Sequence, residues 1–156
     1  MTLKKYKPYL ISIAIPLAVG GLSAFFSMKG MPYFETVRKP WFQPPNILFP
    51  IVWTILYILM GISSARVWES NDPKKTSALK TYSLQLIVNF FWSIIFFGIH
   101  QYSFAFFWLL LLIGLVIKMI RDFAQIDIKA ARLQIPYLFW CCFAAILNFS
   151  IWQLNR

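Results

Sequence analysis

Acidic residues are scarce in this chain: five Asp and Glu stand against fifteen Lys and Arg in 156 residues, for a net charge of +10. Histidine occurs once, as His100, and cysteine twice, as the adjacent Cys141 and Cys142. The acids are spread through the predicted loops. The sequence therefore offers no metal-ligand cluster at a recognisable spacing and no general acid–base constellation. Neighbouring residues on a helix point in different directions, so Cys141 and Cys142 are not expected to form a disulfide and read as small apolar packers. Charge of either sign is missing from four long stretches: 8–28, 40–65, 81–117 and 133–155, of 21, 26, 37 and 23 residues.

What remains is apolar. The chain is 60% hydrophobic and 13% charged, with a mean hydropathy of +0.65; soluble domains run near 45–50% and 25%. A soluble core of this size could not hide so much apolar surface, so lipid is the expected solvent. A hydrocarbon layer of about 30 Å needs about 20 apolar residues per helix. Three of the stretches fit one helix each, and the 37-residue stretch fits two, broken at Gly98-Ile99-His100-Gln101-Tyr102-Ser103. The expected fold is an all-α integral membrane bundle of five transmembrane helices, at about 8–28, 46–68, 79–98, 103–121 and 130–153, forming one domain over 1–156. The first span is long for the apolar part of a signal peptide and lacks a clear small-residue cleavage site, so it reads as a retained helix.

Basic residues set the expected orientation. Lys4, Lys5, Lys7, Arg66, Lys74, Lys75, Lys80, Lys118, Arg121, Lys129 and Arg132, eleven in all, fall on the N-terminal side. Lys29, Arg38, Lys39 and Arg156 make four on the other. In a bacterial plasma membrane this places the N-terminus in the cytoplasm and the C-terminus outside. The positive charge then signals topology and suits anionic lipid head groups; it is scattered over short loops, which does not fit nucleic acid.

Polar residues inside the spans fall in stripes with aromatic ones. The second span carries Trp53, Tyr57 and Met60; the third carries Tyr82, Gln85, Asn89, Trp92 and Phe96; the fifth carries Tyr137, Trp140, Ala144 and Asn148. Steps of three and four put each set on one helix face. Polar groups are costly in hydrocarbon, so Gln85, Asn89 and Asn148 should point into the bundle. Each amide could simply join helices by hydrogen bonds. The coincidence of three stripes favours a cavity walled by Trp and Tyr with a few amide donors, suited to a flat, mostly apolar ligand with polar edges. The fourth span has no such stripe and reads as a packing or lipid-facing helix. Ala14, Ala18 and Gly21 in the first span have close-packing spacing, for a contact within the bundle or between copies. The first loop, 29–45, is rich in proline and aromatics and fits either an interfacial aromatic belt or a lid over a cavity.

Three runs, KPWFQPPNILFPIVWTILYILMGISS, YSLQLIVNFFWSIIFFG and ARLQIPYLFWCCFAAILNFSIW, resemble the translocator protein family (TspO/MBR, once called the peripheral-type benzodiazepine receptor). The likeness covers essentially the whole chain, and the inward charge bias resembles a bacterial member. The resemblance implies a homodimeric five-helix bundle with a pocket opening near the first loop, binding porphyrins such as protoporphyrin IX and isoquinoline carboxamides of the PK11195 type. Carried over residue by residue, it implies a pocket lined by Tyr33, Trp41, Pro45, Trp53, Tyr57, Asn89, Phe91, Trp92, Trp140, Ala144 and Asn148. It also implies light- and oxygen-dependent breakdown of the porphyrin, with Trp53 and Trp140 as participants and no required cofactor or metal. Transport of porphyrins, or sensing through a partner docked on the helices, stays open beside degradation. Animal members carry a cholesterol motif near the end of the fifth helix; here Phe149 stands where its tyrosine would be, and no arginine follows Leu147 until Arg156, so a dedicated sterol site is not expected.

Overall fold

The computed structural model describes residues 2–156, with side chains from Lys5 onward; the Lys4 side chain counted above lies outside the described residues. Five segments are long and apolar enough to cross a membrane: Lys5–Phe34, Leu48–Trp68, Lys75–Gly98, Tyr102–Ala124 and Ile128–Leu154. The shortest has 21 residues, and at about 1.5 Å per residue it reaches roughly the hydrocarbon thickness. Helix is the form in which an isolated segment satisfies its own backbone in lipid.

The helices are α1 (Thr2–Ser27), α2 (Met31–Phe34), α3 (Leu48–Trp68), α4 (Lys75–Ser93), α5 (Tyr102–Ala124), α6 (Ile128–Leu133) and α7 (Ile135–Leu154). The expected spans are recovered, and three run on further. The first continues through a 3-10 turn, Met28–Gly30, into the single turn of α2, so the expected loop 29–45 is helical in its first third. Pro32 sits in the first turn of α2, where a missing N–H costs nothing. The third span begins at Lys75, and the fourth reaches Ala124, which brings Asp122 onto the helix instead of into a loop.

The break between the fourth and fifth helical runs is tight. α4 widens into a π-helical stretch, Ile94–Gly98, and Ile99 and Gln101 donate to the carbonyls of Ile94 and Ile95. His100 adopts φ 60°, the left-handed region that histidine enters more readily than most residues.

The spans form a ring in which α1 touches α3 and α4, α4 touches α5, and α5 touches α7. α3 and α7 face each other across an outer groove lined by Val52, Leu56, Phe139 and Trp140. α5 turns one apolar stripe inward, from Tyr102 through Ala105, Leu109, Leu112, Val116 and Met119 to Phe123, as expected of a packing helix. The Trp108 indole donates to the Val88 carbonyl (2.7 Å) and locks α5 to α4. Cys141 is buried and Cys142 exposed, both as free thiols. Ala14, Ala18 and Gly21 are all exposed.

α1 and α3 approach most closely at Gly61. Pro16 has no N–H for the Ser12 carbonyl one turn earlier, and a Cβ on Gly61 would meet that carbonyl and the Ile13 backbone. At the charged end, Arg66 pairs with Asp127 at 2.8 Å, and Asp127 caps α6 by accepting from the Lys129 N–H. Burial pushes the Asp127 carboxyl up, but the hydrogen bonds from Arg66 and Lys129 outweigh it and hold the group below its usual range.

Two outcomes follow. Gly61→Leu should lower stability by about 1–3 kcal/mol through overpacking, whereas Gly114→Ala, which adds a Cβ in open space mid-helix, should leave it unchanged or raise it by up to about 1 kcal/mol. Thermal melts in detergent compare them, and equal melting would rule out the close α1–α3 contact. Because the Asp127 pKa is depressed on folding, its contribution is present above the usual value of 3.8 and is lost as pH falls through the lower folded value. Asp127→Asn should therefore flatten the acid limb of a stability–pH curve; an unchanged limb counts against the pair.

Candidate functional site

A cavity of about 510 Å³ lies between α1, α3 and α4, toward the end of the bundle where α2 sits. α1 contributes small residues, Gly20, Ser23 and Ser27; α3 contributes Phe49, Trp53 and Tyr57; α4 contributes Asn89, Trp92 and Ser93. Phe34 closes it from α2, itself packed against Phe96 and Phe97 at centroid distances of 5.5 and 4.8 Å. Gly20 is required beside Tyr57, because a Cβ there would run into the phenol ring. Three serines stitch the wall between α1 and α4: Ser23 donates to the Phe90 carbonyl (2.7 Å), and Ser27 meets Ser93 at 3.0 Å. With those hydroxyls engaged, the wall is mainly aromatic and apolar.

Behind this wall the three aromatic–amide stripes converge. Tyr57 stacks on Trp53 (5.5 Å, 27°), and Trp53 lies 6.5 Å from both Trp92 and Trp140 and 6.2 Å from Tyr137. The amides are spent on joining helices. The Tyr137 hydroxyl donates to Gln85 Oε1 and accepts from Asn89 Nδ2, both at 2.7 Å, while the Tyr57 hydroxyl lies 3.4 Å from Asn89 Oδ1. Trp92 Nε1 donates to Asn148 Oδ1 (3.1 Å), and Asn148 Nδ2 donates to the Tyr102 carbonyl (2.8 Å). Gln85, Asn89 and Asn148 are each at most 2% exposed. All three point inward as the stripes require. Of the two roles open to them, helix joining is the one these bonds describe, with Asn89 also reaching the cavity surface.

Of the residues singled out from the sequence, Trp53, Tyr57, Asn89 and Trp92 line the cavity together. Trp140 is one ring further on, against Trp53 and Phe49, with its indole N–H buried and lacking a protein partner. Ala144 and Asn148 border a void of about 20 Å³ behind Trp92. Tyr33 packs on His100 at 4.2 Å, outside the cavity. Trp41 is 94% exposed, Pro45 is exposed, and Phe91 turns outward onto Trp108.

The cavity also has walls that the stripes did not point to. α1, which carries no aromatic–amide stripe, forms one whole side. Its Gly20, Ser23 and Ser27, spaced three and four apart, are the sequence trace of that side. The non-helical part of the first loop, 35–47, runs across the bundle end. Arg38 holds it to the end of α7 through two bonds with Asn155: the Arg38 N–H donates to Oδ1 (2.9 Å) and Nδ2 donates to the Arg38 carbonyl (2.7 Å).

Comparison with known proteins agrees with this architecture. Residues 12–153 match the TspO/MBR family. The chain is 37% identical to the tryptophan-rich protein TspO of Chlorobaculum tepidum over 150 residues, covering 93% of this chain and 94% of that one. It is 34% identical to protein CrtK of Rhodobacter capsulatus, covering 99% and 95%. The human translocator protein is 35% identical, covering 86% and 81%.

The hydrogen-bonded chain generates a test of its own. Tyr137→Phe strands a buried Gln85 oxygen and an Asn89 N–H and should cost about 1–3 kcal/mol. Thermal unfolding in detergent measures it, and a variant as stable as the parent would mean that the two amides are satisfied elsewhere.

Proposed function

The chain belongs to the TspO/MBR family, and on that premise we propose that its intrabundle cavity binds a tetrapyrrole such as protoporphyrin IX and promotes its photo-oxidative degradation. The observation that carries this reading is the cavity of about 510 Å³ walled by the Trp53–Tyr57 stack and Trp92. The volume lies within the range of small-molecule sites, about 300–1,000 Å³. Flat aromatic faces suit a flat macrocycle by offset stacking. The polar atoms on the wall, Asn89 and the Tyr57 hydroxyl, can meet polar edges of such a ligand.

The bound porphyrin is the light absorber and dioxygen the oxidant, so no protein acid, base or metal has to supply the chemistry. The chain's part is to hold the ring against electron-rich indoles. Trp53 stands at the surface of the cavity, and Trp140 lies edge-on to it at 6.5 Å, 88° between planes. An isoquinoline carboxamide, also flat and apolar with one polar amide, is the expected competitor for the same space. In the cell the protein is proposed to act as a homodimer in the plasma membrane, N-terminus in the cytoplasm.

Protoporphyrin IX should bind the purified protein and, under illumination in air, lose its Soret band to a discrete product. Trp53→Phe and Trp140→Phe should slow the bleaching while binding survives, and a PK11195-type ligand should suppress both. A double variant that bleaches at the parental rate would falsify the indole role. Light-independent porphyrin flux through sealed vesicles carrying the protein, without bleaching, would favour transport instead.

A further inference from the structure

A second large cavity lies on the outer face of the bundle, at the opposite end from loop 35–47. It is a groove of about 720 Å³ between the N-terminal halves of α1 and α4, with Ser64 and Trp68 of α3 at its base. α1 and α4 run parallel and touch where Ser23 and Ser27 meet Phe90 and Ser93; toward their N-termini they part, and the groove opens between them.

The chemistry of the groove is graded along the bundle axis. Lys7 of α1 stands at its rim, and Lys80 of α4 borders the shallower depression that adjoins it across Leu79 and Ser83. Neither lysine forms an ion pair among the described residues, whereas Asp122 and Asp127 at the same end are paired with Lys118 and Arg66. Lys75 is held at the rim by the carbonyls of Trp68 and Ser70. Within two turns inward come the hydroxyls of Ser12 and Ser83. The Tyr82 ring lines the wall beside them, with its hydroxyl buried next to that of Ser64. Beyond it the walls are apolar: Ile15, Val19, Leu86 and Ile87.

Cation, hydroxyl and hydrocarbon follow one another in the order in which a phospholipid presents phosphate, glycerol ester and acyl chain. We propose that this groove holds one anionic phospholipid per protomer. The phosphate lies between Lys7 and Lys80, an ester carbonyl accepts from Ser12, and an acyl chain runs along Ile15, Val19, Leu86 and Ile87. A free phosphate would leave the apolar length of the groove unused, and a neutral lipid would leave both lysines without a counter-charge.

Native mass spectrometry of the full chain, released from vesicles of equal parts phosphatidylglycerol and phosphatidylcholine with identical acyl chains, tests this. The parent protein should retain one phosphatidylglycerol per protomer in preference to phosphatidylcholine. Lys7→Gln with Lys80→Gln should lower that preference by about fivefold for each lysine removed. Ile15→Trp, which fills the groove and keeps both lysines, should abolish retention with the melting temperature held near the parental one. Ser12→Ala should weaken retention without changing the charge. Lys29→Gln, at the other end of α1, should change nothing. Equal retention of the two lipids would overturn the proposal, as would an effect of Lys29→Gln as large as that of the rim pair, which would mean general surface attraction. So would a dimer cross-linked through Ser83→Cys that retains no lipid, since a second copy would then fill the groove.

Discussion

The Tyr137 hydroxyl is the point on which the bundle turns. It is one atom on α7, and through it the Gln85 oxygen and the Asn89 amide nitrogen of α4 are both bound; Asn89 in turn lies within reach of Tyr57 on α3. In water such a chain would be a modest contribution. In a hydrocarbon layer each of these groups needs a partner within the protein. The chain therefore fixes the relative rotation of three helices, and with it the direction in which Trp53, Trp92 and Trp140 face. A shift of any one helix by a few tens of degrees would break a bond and turn an indole away from the cluster.

That constraint also accounts for where the open space lies. α3, α4 and α7 are held together by hydrogen bonds and ring contacts in the middle of the bundle, and little room is left among them beyond the void behind Trp92. α1 carries no aromatic stripe and meets its neighbours through glycine and serine, so its side of the bundle holds the cavity. Small residues do two jobs: Gly61 of α3 permits the close crossing with α1, and Gly20 of α1 makes room for the Tyr57 ring.

Much of this was legible in the sequence, for physical reasons. The thickness of a bilayer dictates span length, and the cost of charge in lipid marks the ends, so the spacing of Lys, Arg, Asp and Glu located five spans to within a few residues. The inward direction of Gln85, Asn89 and Asn148 followed from the same cost. The continuation of the first helix to Phe34 was hidden by Pro32 and Gly30, which read as loop residues although a proline is welcome in the first turn of a new helix. The contribution of α1 to the cavity was hidden because glycine and serine leave no hydrophobic or aromatic periodicity. The resemblance carried Trp92 and Phe91 over together, yet adjacent helical residues cannot share a face, and here Phe91 packs outward on Trp108.

Trp140 occupies a boundary. One edge meets the Trp53 ring inside the bundle, and another part lines the outer groove between α3 and α7 with Val52, Leu56 and Phe139. That groove faces acyl chains, not water. Dioxygen dissolves more readily in hydrocarbon than in water, so the membrane interior is its reservoir, and a molecule diffusing there reaches this indole without crossing a head-group layer. Lipid packing around the protein, as much as the dissolved gas outside it, then governs how much dioxygen the aromatic cluster meets.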